Sequence, residues 1–225
     1  YMKRPLLDET KFDEFSKTRS HLIFNALQQG DDTLLKYIIS LFLEANITPI
    51  GAHEVVRNLT LKAGVYSGSV DNLNVEDVKR ADEILERTSC LDIGQSIVVE
   101  AGQVLGIETV QGTEQLLGYV RDTSIALRRV GVGVFVKREK LNQDLRVDMP
   151  TIGPETIRQV YDAKLAAVII SPGKVIVLDQ DECFRLCEEL SLSFIVKTPV
   201  ASEKVPFGHT SHTSSAVLLK IYLGC

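Results

Sequence analysis

Charged and apolar side chains alternate in residues 144–149, just after Gln143 and just before a proline. In a β-strand, Asp144, Arg146 and Asp148 would share one face, with about 6–7 Å between neighbours because each residue advances about 3.3 Å. Two carboxylates beside a guanidinium can bind a hard divalent cation and a phosphate oxygen together. The same alternation is typical of a salt-bridged polar face on an ordinary strand, so the pattern alone leaves both interpretations open.

The residues after this segment predict the start of a helix. Pro150 ends the expected strand, Thr151 or Gly153 can cap the helix, and Pro154 suits its first turn. A helix N-terminus offers free N–H groups and a partial positive charge to an anion. Beside the carboxylates, it suits a metal-bound phosphate ester.

Composition indicates a globular protein. The 225 residues are 44% hydrophobic and 24% charged, with a net charge of -5. The acidic balance weighs against a protein that binds nucleic acid through its phosphates. No apolar run approaches the roughly 20 residues that span a bilayer, and no secretory signal is visible. Cys183 and Cys187, one helical turn apart, are expected to be reduced, and we expect a cytoplasmic protein.

Expected helices alternate with short strands along most of the chain. This order predicts the α/β fold class, a layered sheet with flanking helices in a single main domain. Residues 1–29 are expected to form a linker and first helix, 30–198 the main α/β domain, and 199–225 a loosely ordered tail. Residues 47–50 are expected to be a strand and residues 63–74 a loop.

Residues 31–45 predict a helix that is apolar nearly all round. Such a helix is usually buried in a core, and it can instead line a chamber for a fatty chain.

Polar residues precede a β-hairpin that is predicted around residues 100–103. Gly94 can let the backbone approach a ligand, with Asp92 and Gln95 as its binding groups. A plain turn before the strand explains the same residues equally well.

Glu108 follows the hairpin, and Gly112 and Thr113 open the next predicted helix. Thr113 can cap this helix or present its hydroxyl and nearby N–H groups to an anion. Glu108 and Glu114 are candidate metal or base carboxylates, although surface glutamates are common.

Basic residues cluster before the alternating segment. Residues 137–140 together with Arg128 and Arg129 carry five positive charges, which can neutralise a diphosphate. A solvated basic loop is the alternative.

Several of these segments, in order from residue 3 to residue 196, resemble the UDP-2,3-diacylglucosamine pyrophosphatase family of lipid A biosynthesis. The segments that carry the resemblance are Lys3-Arg4-Pro5, Gly30-Asp31-Asp32, Ile50-Gly51-Ala52-His53, Leu91-Asp92-Ile93-Gly94-Gln95, Val104-Leu105-Gly106-Ile107-Glu108, Gly112-Thr113 and residues 143–154.

The resemblance implies a Mg²⁺-dependent hydrolase. Such an enzyme cleaves the diphosphate of UDP-2,3-diacylglucosamine to UMP and 2,3-diacylglucosamine 1-phosphate (lipid X). It also implies a homodimer, a peripheral association with the inner membrane, and a further domain before residue 3, which is expected to be absent here. A catalytically incomplete module that binds the lipid sugar phosphate or holds a dimer together is the rival hypothesis.

The resemblance also assigns roles to residues within a catalytic domain at 30–198. Asp144, Arg146 and Asp148 are the expected catalytic residues. The expected metal ligands are Asp144, Asp148, Glu108 and Glu114, and the expected substrate-binding residues are Asp92, Gln95, Gly112, Thr113, Lys137, Lys140 and Gln143.

Two segments depart from the family pattern. Gln111-Gly112-Thr113-Glu114 stands where the family has Glu-Gly-Thr-Asp, which removes one carboxylate and lengthens another. Residues 137–141 lack both prolines of the family's Lys-x-Pro-Lys-Pro loop, so this loop is expected to be more mobile.

Overall fold

The computed structural model describes residues 8–29, 31–71 and 73–199, in which three α-helices precede the first strand and helices are interspersed with strands after it. The helices are α1 (Glu14–Gln29), α2 (Asp31–Glu44), α3 (Ala52–Val55), α4 (Val75–Ser89), α5 (Gly112–Asp122), α6 (Pro154–Asp162) and α7 (Gln180–Glu189). The strands are β1 (Gly64–Ser67), β2 (Ser96–Glu100), β3 (Gln103–Ile107), β4 (Val134–Lys137), β5 (Thr151–Ile152), β6 (Ala167–Ile170), β7 (Ile176–Val177) and β8 (Ser193–Val196).

Six strands form one mixed sheet in the order β1-β8-β6-β4-β2-β3. Strands β4, β6 and β8 are parallel, with Val134 opposite Ala167 and Val168 opposite Phe194. Strands β2 and β3 form the hairpin that the sequence predicted, and β2 pairs antiparallel with β4, which places Ser96 opposite Lys137. The start of β2 and the carboxyl ends of the parallel strands therefore lie at the same end of the sheet.

Hydrophobic cores cover both faces of this sheet. Phe135 and Phe194 pack beneath α5, α6 and α7, whereas Val134 and Val136 pack beneath α4. Strands that are buried on both faces read as apolar runs, which is why β4, β6 and β8 are visible in the sequence. The predicted α/β class with a layered sheet and flanking helices is confirmed.

The thiols of Cys183 and Cys187 are free and buried, as expected. Their removal from water raises the pKa of each to about 12. Among the described residues, no helix is long and apolar enough to cross a bilayer.

The expected strand at residues 143–149 is wrong. The segment contains a turn in which the Asp148 N–H donates to the Asp144 carbonyl over 3.0 Å. It follows β4 outside the sheet and has no partner strand. Arg146 folds back onto Asp144, and this local ion pair explains the charge pattern that resembles an exposed strand face.

Two shorter expectations are also wrong. Residues 47–50 form no strand, and the expected loop at residues 63–74 contains β1. This edge strand pairs with β8 and is largely exposed, so it lacks the apolar run by which buried strands are recognised.

Helix α2 lies outside the main core. It packs against α1, and Ile39 is buried, whereas Phe42 and Leu43 are half exposed. Both core clusters draw their residues from 61–196 of the described chain. The interpretation of α2 as a core helix is therefore wrong, and its role as a wall for fatty chains stays a prediction.

Candidate active site

A buried polar network lies at the end of the sheet where β2 begins and β4 ends. The Lys137 Nζ atom lies 3.2 Å from Glu108 Oε2 and 2.5 Å from Thr113 Oγ1. Thr113 donates its hydroxyl proton to Glu108 Oε1 over 3.0 Å, and the Ser96 hydroxyl donates to the same carboxylate. Since the Lys137 side chain is only 4% exposed, its charge is used within the protein to neutralise Glu108.

Gly94 makes this network possible by a close backbone approach. Its φ is +61°, and a Cβ atom there would lie 2.2 Å from the carbonyl oxygen of Glu108. The close approach predicted at Gly94 is therefore present, but the group that approaches is the protein's own backbone, where the sequence predicted a ligand. Gly112 also adopts a left-handed conformation, with φ of +85°, which glycine tolerates better than other residues. In this conformation its N–H donates to the Thr109 carbonyl over 2.9 Å at the start of α5.

Asp144 and Arg146 form a bidentate ion pair within the turn after β4. The distances are 2.9 Å from Nε to Oδ1 and 2.6 Å from Nη2 to Oδ2. The side-chain hydrogen bonds from Arg146, helped by its backbone N–H and by the charge of Lys36 in α2, hold the pKa of Asp144 below its usual value. Asp144 is therefore an anion whose guanidinium partner is fixed in orientation.

A chain of contacts connects four predicted site residues. Lys140 Nζ lies 2.6 Å from Asp92 Oδ1, and the backbone N–H of Lys140 donates to Gln143 Oε1 over 2.9 Å. Gln143 then donates from Nε2 to Asp148 Oδ2 over 2.6 Å. Residues far apart in sequence are thus brought together beside the turn at residues 144–148 (the Asp144 turn).

Gln95 and Glu114 stand apart from this chain of contacts. The Gln95 carbonyl accepts the Arg138 N–H over 2.9 Å, which joins the backbone before β2 to the backbone after β4. Glu114 is exposed and lines a separate cavity of about 770 Å³ between α5 and α6. Substrate contact by Gln95 and metal binding by Glu114 remain predictions.

The carboxylates fit a magnesium ion only in part. Among the described residues, no group of three or more histidine, cysteine, aspartate or glutamate side chains is close enough to hold a metal. Glu108 is held by Lys137, whereas Asp144 and Asp148 lie four residues apart in one turn. Mg²⁺ is commonly held by one or two carboxylates together with waters and substrate phosphates, so magnesium binding by Asp144 and Asp148 stays a prediction.

The sequence interpretation misplaced Arg128. Its guanidinium is buried at the opposite end of β4, 2.7 Å from Glu100 Oε2, with both side chains 1% exposed. It also donates to the carbonyls of Val120 and Ala163, so it holds together the ends of β2, α5 and α6. Arg128 therefore has a structural role and is no part of the basic cluster near the candidate site.

The sequence interpretation also missed the contact of Arg138 and Lys197 with Asp82 of α4. The shortest nitrogen–oxygen distances to the Asp82 carboxylate are 3.7 Å from Arg138 and 3.0 Å from Lys197. Asp82 lies on the mainly apolar inner face of α4, and a buried acidic residue on such a face is the signal that could have predicted a basic partner.

Comparisons with known proteins identify the family of the chain. A family model described as the LpxI C-terminal domain matches residues 62–195. The chain is also 34% identical over 172 residues to UDP-2,3-diacylglucosamine pyrophosphatase LpxI of Caulobacter vibrioides. That alignment covers 74% of this chain and 61% of the relative, so the chain spans about three fifths of the relative's length. The chain therefore belongs to the LpxI C-terminal domain family.

Proposed function

We propose that this protein hydrolyses the diphosphate of UDP-2,3-diacylglucosamine to UMP and 2,3-diacylglucosamine 1-phosphate, lipid X, in lipid A biosynthesis. The named relative supports the substrate and the reaction. The observation that carries the proposal is the run of contacts from Asp92 through Lys140 and Gln143 to Asp148, beside the Asp144–Arg146 ion pair. It places carboxylates and cations together at a solvent-accessible turn, as diphosphate cleavage requires.

Each residue of the turn has a role in this proposal. Asp148, held by Gln143, orients the attacking water and accepts its proton. Arg146, held by Asp144, directs its remaining N–H groups to the phosphoryl oxygens on which charge develops. Lys140 adds a positive charge for the diphosphate, and Gly112 and Thr113 offer the N-terminus of α5 to a phosphate oxygen.

Asp144 and Asp148 are the residues that would hold Mg²⁺. The ion would supply charge neutralisation on the diphosphate oxygens. Glu108 would join them only if it left Lys137, and the orientation of Lys137 and Thr113 depends on Glu108.

The proposal extends to the fatty chains of the substrate. Phe42 and Leu43 at the end of α2, with Ile47 and Ile50 beyond it, are about half exposed. Apolar surface of this kind suits acyl chains. Lys36 of α2 is close enough to Asp144 to lower its pKa, so α2 itself approaches the turn. A homodimer, a cytoplasmic location and peripheral contact with the inner membrane are parts of the same proposal.

Release of UMP from UDP-2,3-diacylglucosamine, measured with Mg²⁺ and with EDTA, tests this function. We expect release that depends on the metal, and a fall of several orders of magnitude in Asp148→Ala because the water loses its base. Asp122→Ala is the matched control, since Asp122 pairs with Arg121 on exposed α5. An unchanged rate in Asp148→Ala would refute the role of Asp148.

A non-catalytic module is the second candidate. The pairing of Glu108 with Lys137, Thr113 and Ser96 favours it, because a carboxylate that is neutralised within the protein is not free to bind a metal. Lipid that copurifies with the chain, without any release of UMP, would support this alternative over the hydrolase.

A further inference from the structure

A small polar cavity of about 280 Å³ lies between α4 and the loop after β4. Its wall includes Arg138, Lys140, Lys174, Glu86 and Glu139, so cationic side chains outnumber carboxylates by three to two. Gln143, which holds Asp148, is part of the same wall. The cavity therefore adjoins the candidate active site and carries a net positive lining.

Arg138 is buried in this wall with its hydrogen-bonding capacity largely unused. The residue is 8% exposed. Its shortest contact with a carboxylate is 3.7 Å, to Asp82, which is too long for a hydrogen bond. Asp82 is shared with Lys197, 3.0 Å away. Among the described residues, the Arg138 guanidinium has no hydrogen-bond acceptor, although it carries five N–H donors.

Glu139, the next residue, has a carboxylate oxygen that lacks a hydrogen-bond donor among the described residues. One of its carboxylate oxygens lies 2.8 Å from Lys174 Nζ, and the other, Oε2, is buried without a hydrogen-bond partner among the described residues. The terminal torsion of a glutamate is broad, so a small rotation can present Oε2 to the cavity. Glu139 Oε2 is thus a buried acceptor in the same cavity wall as a guanidinium that makes no hydrogen bond to another described residue, and a buried acceptor is costly to leave unpaired.

We propose that this cavity binds a phosphate ester that carries a neighbouring hydroxyl or N–H group. The phosphate accepts hydrogen bonds from Arg138, and the neighbouring group donates to Glu139. A cavity of this size and polarity suits a phosphate with part of a sugar or nucleoside, and not an acyl chain. The inference rests on the proposed function, because either the nucleotide half or the sugar half of that substrate has this chemistry.

Calorimetric titration of the full chain with UMP, glucosamine 1-phosphate and inorganic phosphate tests the inference. We expect one ester to bind more tightly than inorganic phosphate, and which ester it is identifies the half of the substrate that occupies the cavity. Arg138→Gln should weaken that ester at least tenfold, because charge-assisted hydrogen bonds to the phosphate are lost. Glu139→Leu should weaken the ester several-fold and leave inorganic phosphate unaffected or slightly tighter.

Two further variants control for loss of fold and of charge. Arg138→Lys keeps the charge that faces Asp82 but loses the planar fork, so its affinity should fall between those of the wild type and Arg138→Gln. Arg185→Gln removes an exposed arginine that is paired within α7 and should bind the ester as the wild type does. Circular dichroism and urea unfolding establish that each variant is folded.

Some outcomes overturn the inference without touching the proposed function. Wild-type affinity in a folded Arg138→Gln, or equal losses for the ester and inorganic phosphate in Glu139→Leu, would remove the subsite while UMP release from the full substrate continued. Conversely, ester binding that is lost in Arg138→Gln upholds the subsite even if the wild type releases no UMP.

Discussion

The charged residues of the Asp144 turn are paired with neighbouring side chains of the same segment. Arg146 satisfies Asp144, and Gln143 satisfies Asp148, within a span of six residues. Each carboxylate is thus held in a defined orientation. An arginine in such a pair retains N–H groups on its outer edge, which is the arrangement that phosphate recognition needs.

Replacing Arg146 by glutamine should raise the pKa of Asp144 towards its ordinary value, because its strongest hydrogen bonds come from Arg146. A carboxyl whose folded-state pKa is lowered stabilises the fold above its unfolded pKa of about 3.9, and this stabilisation is lost as the pH falls through the folded-state pKa. The wild type should therefore be more stable than Arg146→Gln at neutral pH, with the difference shrinking below about pH 4.

Carboxyl chemical shifts from nuclear magnetic resonance and urea unfolding between pH 2 and 7 measure both effects. Arg121→Gln serves as the control, since Arg121 pairs with Asp122 and should leave Asp144 unchanged. An unaltered pKa for Asp144 in Arg146→Gln would contradict the ion pair.

At the scale of elements, the site depends on how closely the segment before β2 approaches the end of β3. Gly94 at φ of +61° and Gly102 at φ of +80° both adopt left-handed conformations, but a Cβ atom at Gly102 would meet nothing within 4 Å. The two glycines therefore separate the effect of backbone conformation from the effect of close approach.

Gly102→Ala should cost about 1 kcal/mol in the free energy of unfolding, the usual penalty for a left-handed alanine. Gly94→Ala should cost clearly more, since its Cβ would displace the Glu108 carbonyl and disturb the bond to Lys137. Urea unfolding of both variants gives the comparison. Equal costs would show that the close approach at Gly94 has no energetic consequence.

The Glu100–Arg128 ion pair holds three elements together at the other end of the sheet. Arg128→Met should destabilise the fold by about 3–5 kcal/mol, because Glu100 would remain charged and buried without its partner. Adding Glu100→Leu should restore part of this loss. Arg185→Met, which breaks exposed pairs on α7, should cost less than about 1 kcal/mol. Denaturant unfolding of these variants measures the loss of stability in each. A small effect of Arg128→Met would contradict the expectation.

At the scale of the whole molecule, the hydrophobic core and the candidate site have different extents. The core draws on residues 61–196 of the described chain, whereas the surroundings of Asp144 extend to Lys36 of α2. The helical pair of α1 and α2 can thus contribute to ligand binding while adding little to the main core.

Deleting residues 1–45 should leave the urea midpoint nearly unchanged, because both core clusters remain. The same deletion should weaken the binding of UDP-2,3-diacylglucosamine at least tenfold, since loss of contact with only two methylene groups costs about 1.6 kcal/mol. Binding of UDP-glucosamine, which lacks acyl chains, serves as the control and should change much less. Equal losses for the two ligands, measured by calorimetry, would argue against an acyl-chain wall on α2.

The sequence by itself determined the elements whose signals are local. Buried strands such as β4 and β6 are apolar runs, the turn of the β2–β3 hairpin contains Gly102, and the starts of α5 and α6 carry Gly112 and Pro154. These signals act over a few residues, so the α/β class follows from the chain alone.

Only the tertiary structure decided which charged groups meet. Lys140 reaches Asp92 across 48 positions, and Lys137 reaches Glu108 across 29. The order of strands in the sheet creates both contacts, and it also separates Arg128 from Lys137 at opposite ends of β4. Charge carries no periodicity that specifies a distant partner, and burial, which sets the cost of leaving a charge unpaired, exists only once the sheet has formed.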